Sequence, residues 1–465
     1  MRNTKVIKMV IIYLVQSTED SKGNIELCKK GEEHPMHHKE LEERIKAELT
    51  QYKKIVLYGT GHWAEYILPY LKRNQILSRV YAIVDRDDSS MIEKKFHGYT
   101  VKKLSDILER ADSIVIVSKD YWQPISKRVH KILDEQHIHF PVIELLSADF
   151  LYKNRKINTT YVDNRIKNVL SKCLVPHFYI LCVESMGDII ACEPITRKLK
   201  KDVTNSKVTW IIKQEYVEVV KYNPFVDEVV EVSCLGEADE FCNNLDRHNS
   251  VMINCHFNGR RCTKTKRVHQ NDINPMIDES TYYNYGALLE NFSLTAGMQK
   301  ISDTPLFHEN VNAKNPIDIE NKYAVFHCKS SEISRDWQPD KWNEVAYRMM
   351  KKGYIVVEIG LVPIITSKSK KYYDCTYIHD IQTIAQIIKE ASIFIGCDSG
   401  FAHIANCYNK KAILLLGKYR SFSRPMPYTG YYAKQKENTI IYANNASVQS
   451  LSVEEVYNKI LEKML

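Results

Sequence analysis

Short apolar runs rich in Val and Ile alternate with amphipathic, helix-like stretches along most of this 465-residue chain. Such alternation forces the strands of a unit to lie parallel, because each helix must carry the chain back along the sheet before the next strand can pair. The pattern occurs three times. In the first, KKIVLYG, RVYAIVD and DSIVIVS read as strands, with helices over HWAEYILPYLKR, KLSDILERA and QPISKRVHKILDEQ and a closing apolar PVIELL. In the second, from about Pro176, HFYILCVE, KVTWIIK, VDEVVEV and SVMINCHF read as strands, with helices over IIACEPITRKLKK and EYVEVVKYN. In the third, from near Asn321, the strands are YAVFHCK, YIVVEIG, SIFIGCD and AILLLG and the helices PDKWNEVAYRMMKK, IQTIAQIIKEA and AHIANCY. Ser452 and Glu455 have capping-box spacing for a last helix. The expected organisation is an N-terminal arm and helix over 1–50, a Rossmann-like α/β domain over 51–150, a polar, basic linker over 151–175, and two α/β lobes over 176–310 and 311–465.

A formal net charge of +8 is a mild basic excess and gives no reason to expect a nucleic-acid partner. The twelve cysteines include no C-x-x-C pair, so neither a zinc nor an iron–sulfur site is expected. Cys182, Cys328, Cys397 and Cys407 lie in or beside apolar runs and read as buried thiols, kept reduced in a cytoplasm. Met9–Val15 is apolar but too short to span a bilayer, and reads as a strand or docking arm. A cytoplasmic chain is expected.

Three motifs carry chemistry, each where a strand ends, which is where ligands bind in open α/β sheets. The first is VESMGD, Val183 to Asp188. Gly187 permits a tight turn; Asp188 either caps the following helix or projects into the cleft as a general base. The second runs from His327 to Trp342, a Ser- and charge-rich loop opening a helix at Pro339. Lys329 and Arg335 are placed to reach a phosphate and to stabilise charge on a departing nucleoside diphosphate, unless the loop is merely solvated. Trp337 and Trp342 read as packing residues. The third is GCDSGFAH, Gly396 to His403. Amides at Ser399, Gly400 and Phe401 would point at an anion, and Asp398 could hold sugar hydroxyls. The alternatives are an Asp/Ser cap, a Gly400 kept for close packing and a His403 that is a core residue.

In order and spacing these motifs resemble glycosyltransferase family 9, the lipopolysaccharide heptosyltransferases, from about Pro176 to the C-terminus. ILCVESMGDIIACEPITRKLKK is similar to the family's opening strand, S-x-G-D turn and helix, and IGCDSGFAHIANCYNKKAILLLG to its D-S/T-G-x-x-H-x-A block. The resemblance implies a GT-B fold, two facing Rossmann-like lobes, here preceded by the separate Rossmann-like domain. It implies an inverting transfer that needs no metal or cofactor. Asp188 then matches the base, with Ser185 and Gly187 beside it on the acceptor side. Arg335 matches a basic residue, usually Lys, at the donor phosphates, and Asp398, Ser399, Gly400 and His403 match the donor-binding block. The donor implied is a nucleotide sugar, first of all ADP-heptose. Two turns depart from the family pattern, His327-Cys328-Lys329 and Leu361-Val362-Pro363.

Arg260, Arg261, Lys264, Lys266 and Arg267 form a basic cluster after SVMINCHF. It reads as a solvated face or as a site for an anionic glycan or glycolipid acceptor, or for the anionic inner face of a membrane. In the first unit Gly59-Thr60-Gly61-His62-Trp63-Ala64 follows a strand and opens a helix, and Asp85 ends the next strand, as in a dinucleotide site. His62 and Trp63 are bulky for a pyrophosphate, so NAD(P) is not expected there. Nucleotide binding and a docking role stay open. Two rival functions remain: a nucleotide-sugar epimerase or oxidoreductase run by that unit, and a non-catalytic nucleotide-sugar-binding scaffold.

Overall fold

The computed structural model describes residues 5–8, 38–118, 122–147, 156–279, 281–317, 322–419, 422, 428–434, 439–444 and 446–464. The apolar run Met9–Val15 lies outside them. The chain divides into two compact units. One comprises Val15–Lys156 and Pro275–Thr281, the other Met1–Leu14, Ile157–Asn274 and Tyr282–Leu465.

The smaller unit is built on a five-stranded parallel sheet. Its order is Lys102–Lys103, Val80–Asp85, Ile55–Tyr58, Ser113–Ile116, Val142–Ile143. In chain order this is 3-2-1-4-5, that of a doubly wound nucleotide-binding sheet. Its central strands Ile55–Tyr58 and Ser113–Ile116 are buried along their whole length because both faces are covered. One side packs Leu41, Ile45 and Leu49 of the helix His38–Leu49. The other packs Trp122, Val129 and Leu133 of Trp122–Glu135. One expectation fails here. KLSDILERA is not a helix but a short strand and two 3-10 turns, Leu104–Asp106 and Leu108–Arg110. Leu104, Ile107 and Leu108 still fill the core, so the apolar spacing served a compact turn instead of a helix face.

The larger unit holds two parallel sheets. The first runs Lys5–Lys8, Glu228–Val232, Lys207–Lys213, His177–Leu181, Ser250–Asn254. The N-terminal strand thus adds an edge to a 3-2-1-4 sheet, pairing parallel with Glu228–Val232. The second runs Tyr372–Asp374, Ile355–Glu358, Tyr323–His327, Ile393–Cys397, Ala412–Leu416, Ile440–Tyr442, the full 3-2-1-4-5-6 order. The two lobes, each with Rossmann strand order, make this unit GT-B.

Two boundaries differ from expectation. The helix predicted over IIACEPITRKLKK is two, Met186–Ala191 and Glu193–Asp202, divided at Cys192, with Pro194 in the first turn of the second. A proline there has no amide to give to the preceding turn. The stretch 151–175 holds the helix Tyr161–Leu170. Val162 and Val169, seven residues apart, are both buried, and the Val162 amide donates to the Gly297 carbonyl. The polar composition of that stretch hid a narrow apolar face. The last helix, Val453–Met464, is as read, with the Glu455 amide donating to Ser452 Oγ at 3.1 Å.

Candidate active site

In each lobe strand order reverses between the first and fourth strands, and a parallel sheet opens a crevice at that point. In the first lobe these are His177–Leu181, followed by Glu184 to Asp188, and Ser250–Asn254, followed by Arg260. In the second they are Tyr323–His327, followed by Lys329 and Arg335, and Ile393–Cys397, followed by Asp398 to His403. The motifs therefore occupy both switch points.

The two lobes meet through two glycines. A β-carbon on Gly187 would lie 2.7 Å from His403 Cδ2, and one on Gly400 would lie 2.9 Å from the Met186 β-carbon. Gly187 is thus helical and serves a close approach, not the tight turn expected of it. Gly400 serves packing against Met186 in the same way. The opening turns of the helices Met186–Ala191 and Gly400–Cys407 lie against each other.

This contact sets the charged residues around one space. The Ser185 amide donates to Asp188 Oδ2 at 3.2 Å, so Asp188 does close the first turn of its helix. Arg260 Nη1 stands 3.7 Å from the same oxygen. Burial raises the Asp188 pKa; Arg260, the Ser185 amide and Arg335 oppose that rise, and Asp398 adds to it. Arg335 and Asp398 of the second lobe therefore act on Asp188 with opposite sign. Glu184, which sequence reasoning passed over, bonds tightly to Lys213 through Oε2 and has Arg260 Nη2 at 3.7 Å from Oε1.

In the second lobe Arg335 lies 3.4 Å from Asp398 Oδ2 and over the Tyr419 ring, 4.5 Å from its centroid. Burial works against the Arg335 charge, but Asp398, Tyr419 and Glu332 more than offset it, so the guanidinium stays charged. Tyr428 donates to the other Asp398 oxygen at 2.6 Å. Arg335, Asp398 and Tyr419 line an open recess together with Tyr283 and Lys418. Tyr283, Tyr419 and Tyr428 carried no sequence signal, because they belong to none of the three motifs.

Ser399 caps its helix, its Oγ accepting from the Ala402 amide at 3.4 Å, and lies 3.0 Å from His327 Nδ1. His327 and His403 are both buried, and burial lowers each to about 4, so both are neutral at ordinary pH. The His403 ring packs on Tyr428, with centroids 4.7 Å apart. Lys329 is exposed. Trp337 and Trp342 pack edge to face in the core.

The basic cluster does not act as one patch. Arg260 turns inward to Glu184, Asp188 and His256, whereas Arg261 is exposed. Lys264 donates to Ser233 Oγ, Lys266 to the Thr263 carbonyl, and Arg267 pairs with Glu240 at 3.7 Å. In the smaller unit Gly59 adopts a positive φ of 122°, which favours glycine. Thr60 Oγ1 donates to Asp85 Oδ2, so that carboxylate is already engaged beside the Gly59–Gly61 loop. Among the described residues no helix is long and apolar enough to cross a membrane. Nor are three His, Cys, Asp or Glu side chains grouped there so as to hold a metal.

Residues 264–458 match the family model described as glycosyltransferase family 9 (heptosyltransferase), and residues 51–139 the one described as C2185-like, N-terminal. No curated protein matches the sequence. Among solved structures the chain is similar to the glycosyl transferase family 9 protein from Veillonella parvula DSM 2008, at 16% identity and a TM-score of 0.46, over 62% of this chain and 97% of that one. It is similar to the E. coli heptosyltransferase WaaC with ADP at 14% identity and a TM-score of 0.42, over 62% and 97%. For the E. coli ADP-heptose lps heptosyltransferase II the values are 11% and 0.44, over 62% and 98%.

Proposed function

We propose that the chain is an inverting glycosyltransferase, moving a sugar from a nucleotide-sugar donor to an acceptor hydroxyl in the synthesis of a bacterial surface glycan; the match of residues 264–458 to the family model of glycosyltransferase family 9 supports this reading. The donor we propose first is ADP-heptose, because the matched family is that of the heptosyltransferases. The observation that carries the reading is the glycine-mediated contact of the two lobes, which puts Asp188 opposite Arg335 and Asp398.

Asp188 takes the proton of the acceptor hydroxyl as its oxygen attacks the anomeric carbon. The bond from that carbon to the diphosphate oxygen breaks on the opposite side, which inverts the anomeric configuration. Arg335 stabilises the charge gathering on the departing diphosphate. Burial of Asp188 raises its basicity and so favours the proton transfer. Asp398, held by Tyr428 and Arg335, is the group we assign to donor sugar hydroxyls. Cations and helix amides take the part that a divalent ion plays in other glycosyltransferases, so the transfer is metal-independent. The proposed acceptor is anionic, met by the exposed Arg261. Peripheral contact with the inner membrane face would follow if it is a glycolipid.

The test is a panel of nucleotide sugars, scored for binding and for transfer, with the product anomer determined. The expected result is selective binding of one nucleoside diphosphate sugar, an inverted product, and turnover that persists in excess EDTA. Binding without turnover on any acceptor would favour a scaffold; loss on chelation, restored by Mn²⁺ or Mg²⁺, would contradict the metal-free mechanism.

A further inference from the structure

Among the described residues the Asp398 carboxylate receives a single hydrogen bond, from the Tyr428 hydroxyl to Oδ1 at 2.6 Å. Arg335 stands on the other side, 3.4 Å from Oδ2. That is longer than a charge-assisted hydrogen bond, which spans about 2.7–2.9 Å, and Arg335 is shared with the Tyr419 ring and with Glu332 at 3.9 Å. The bond from Tyr428 is therefore the contact that fixes the rotation of the carboxylate. An ionised carboxylate has about four acceptor sites, so both oxygens keep lone pairs for a ligand. Tyr428 is buried, its ring packed on His403 and, at a centroid distance of 5.8 Å, on Tyr432. Burial and the Asp398 charge raise its pKa, so the hydroxyl keeps its proton and donates.

The next residue, Thr429, ties this stretch to both lobes. Its carbonyl accepts from Asn406 Nδ2 at 2.7 Å, in the helix that follows Asp398, and Asn406 Oδ1 accepts from the Tyr432 amide at 2.9 Å. Its hydroxyl accepts from the Leu289 amide at 3.3 Å, in the first lobe's helix Leu288–Thr295. One residue on, a β-carbon at Gly430 would lie 2.9 Å from Thr304 Cγ2, so the chain passes close there too. We propose that Tyr428 is a positioning residue for the donor sugar: its hydroxyl orients Asp398 towards the sugar hydroxyls, and Thr429 ties that orientation to the position of the first lobe. This rests on the assignment of Asp398 to the donor sugar.

A phenylalanine at 428 keeps the ring on His403 and Tyr432 but leaves the carboxylate free to rotate. The sugar then loses an oriented acceptor, whereas the diphosphate, met by Arg335 and the helix amides, does not. Titration calorimetry of the full-length protein with ADP-heptose and with ADP separates the two. Tyr428→Phe should weaken ADP-heptose by about tenfold, the low end for a hydrogen bond to a charged group, and leave ADP unchanged. Asp398→Asn should show a loss of the same kind. Thr429→Val, which keeps the shape and deletes the acceptor for the Leu289 amide, should weaken ADP-heptose less, again sparing ADP. A merely structural Tyr428 would weaken both ligands together or neither, and either result overturns the positioning role. Unchanged ADP-heptose binding in Thr429→Val overturns the tie to the first lobe. If Asp398→Asn binds ADP-heptose as the wild type does, or the wild type binds none, the donor reading fails and the role falls with it.

Discussion

The His403 ring occupies the space that a Gly187 side chain would need, with Cδ2 2.7 Å and Nε2 3.1 Å from where the β-carbon would stand. One contact thus joins the helix that carries Asp188 to the helix that follows Asp398, and no larger residue at 187 would leave the lobes at this separation.

Gly187→Ala should therefore harm this protein, although Ala is the better helix former by about 1 kcal/mol. The added methyl meets an imidazole that is buried against Tyr428 and has little room to retreat. Forced overpacking costs about 1–3 kcal/mol, so a lower Tm is expected. A fall in kcat larger than the stability loss explains is expected too, because Asp188 is displaced from the donor side. Thermal melts and steady-state kinetics on the same preparation check both.

Stability should fall on acidification through the His403 and His327 rings. Each folds with a pKa near 4, below the 6.5 of an unfolded histidine. Between those values the unfolded chain binds protons that the folded one refuses. The contribution is complete above about pH 6.5 and is lost progressively as pH falls towards 4. Urea midpoints at intervals across that range should decline for the wild type and decline less for His403→Asn. Equal slopes would remove His403 from the account.

The two neighbouring arginines should separate kinetically. Arg261 is exposed, so Arg261→Ala should raise the acceptor KM by about tenfold, since charge-assisted contacts are worth about 1.5–3 kcal/mol. That effect should shrink with added salt, because exposed charges are screened over about 8–10 Å. Arg260→Ala should act mainly on kcat and its pH dependence. An unchanged acceptor KM in Arg261→Ala would return it to the solvated surface.

Much of this was legible in the sequence because parallel sheets write themselves as apolar runs. Every strand of the two lobes that the alternation marked is present, and the switch points fall where VESMGD and GCDSGFAH end their strands. What the sequence hid was tertiary in origin. Gly187 looked like a turn glycine and Gly400 like an anion-binding or a packing glycine, and only the opposite lobe shows what each packs against. Arg260 and Arg261 are consecutive and look equivalent, but the backbone sends one inward and the other out. Glu184 lies inside VESMGD, yet its partners come from elsewhere in the sheet, Lys213 at the end of one neighbouring strand and Arg260 after the other. KLSDILERA has helical spacing but folds as 3-10 turns, since three apolar contacts suffice to cover that part of the sheet.

Asp188 is proposed as the base of a glycosyl transfer, and not simply as the residue that closes the first turn of its helix. Asp188→Asn tests it most directly, because Asn keeps the shape and nearly all the capping ability while removing the proton acceptor. Single-turnover transfer from the donor identified in the nucleotide-sugar panel should slow by about two to four decades, with donor affinity and Tm almost unchanged. Transfer at close to the wild-type rate would contradict the account and leave Asp188 as a helix cap.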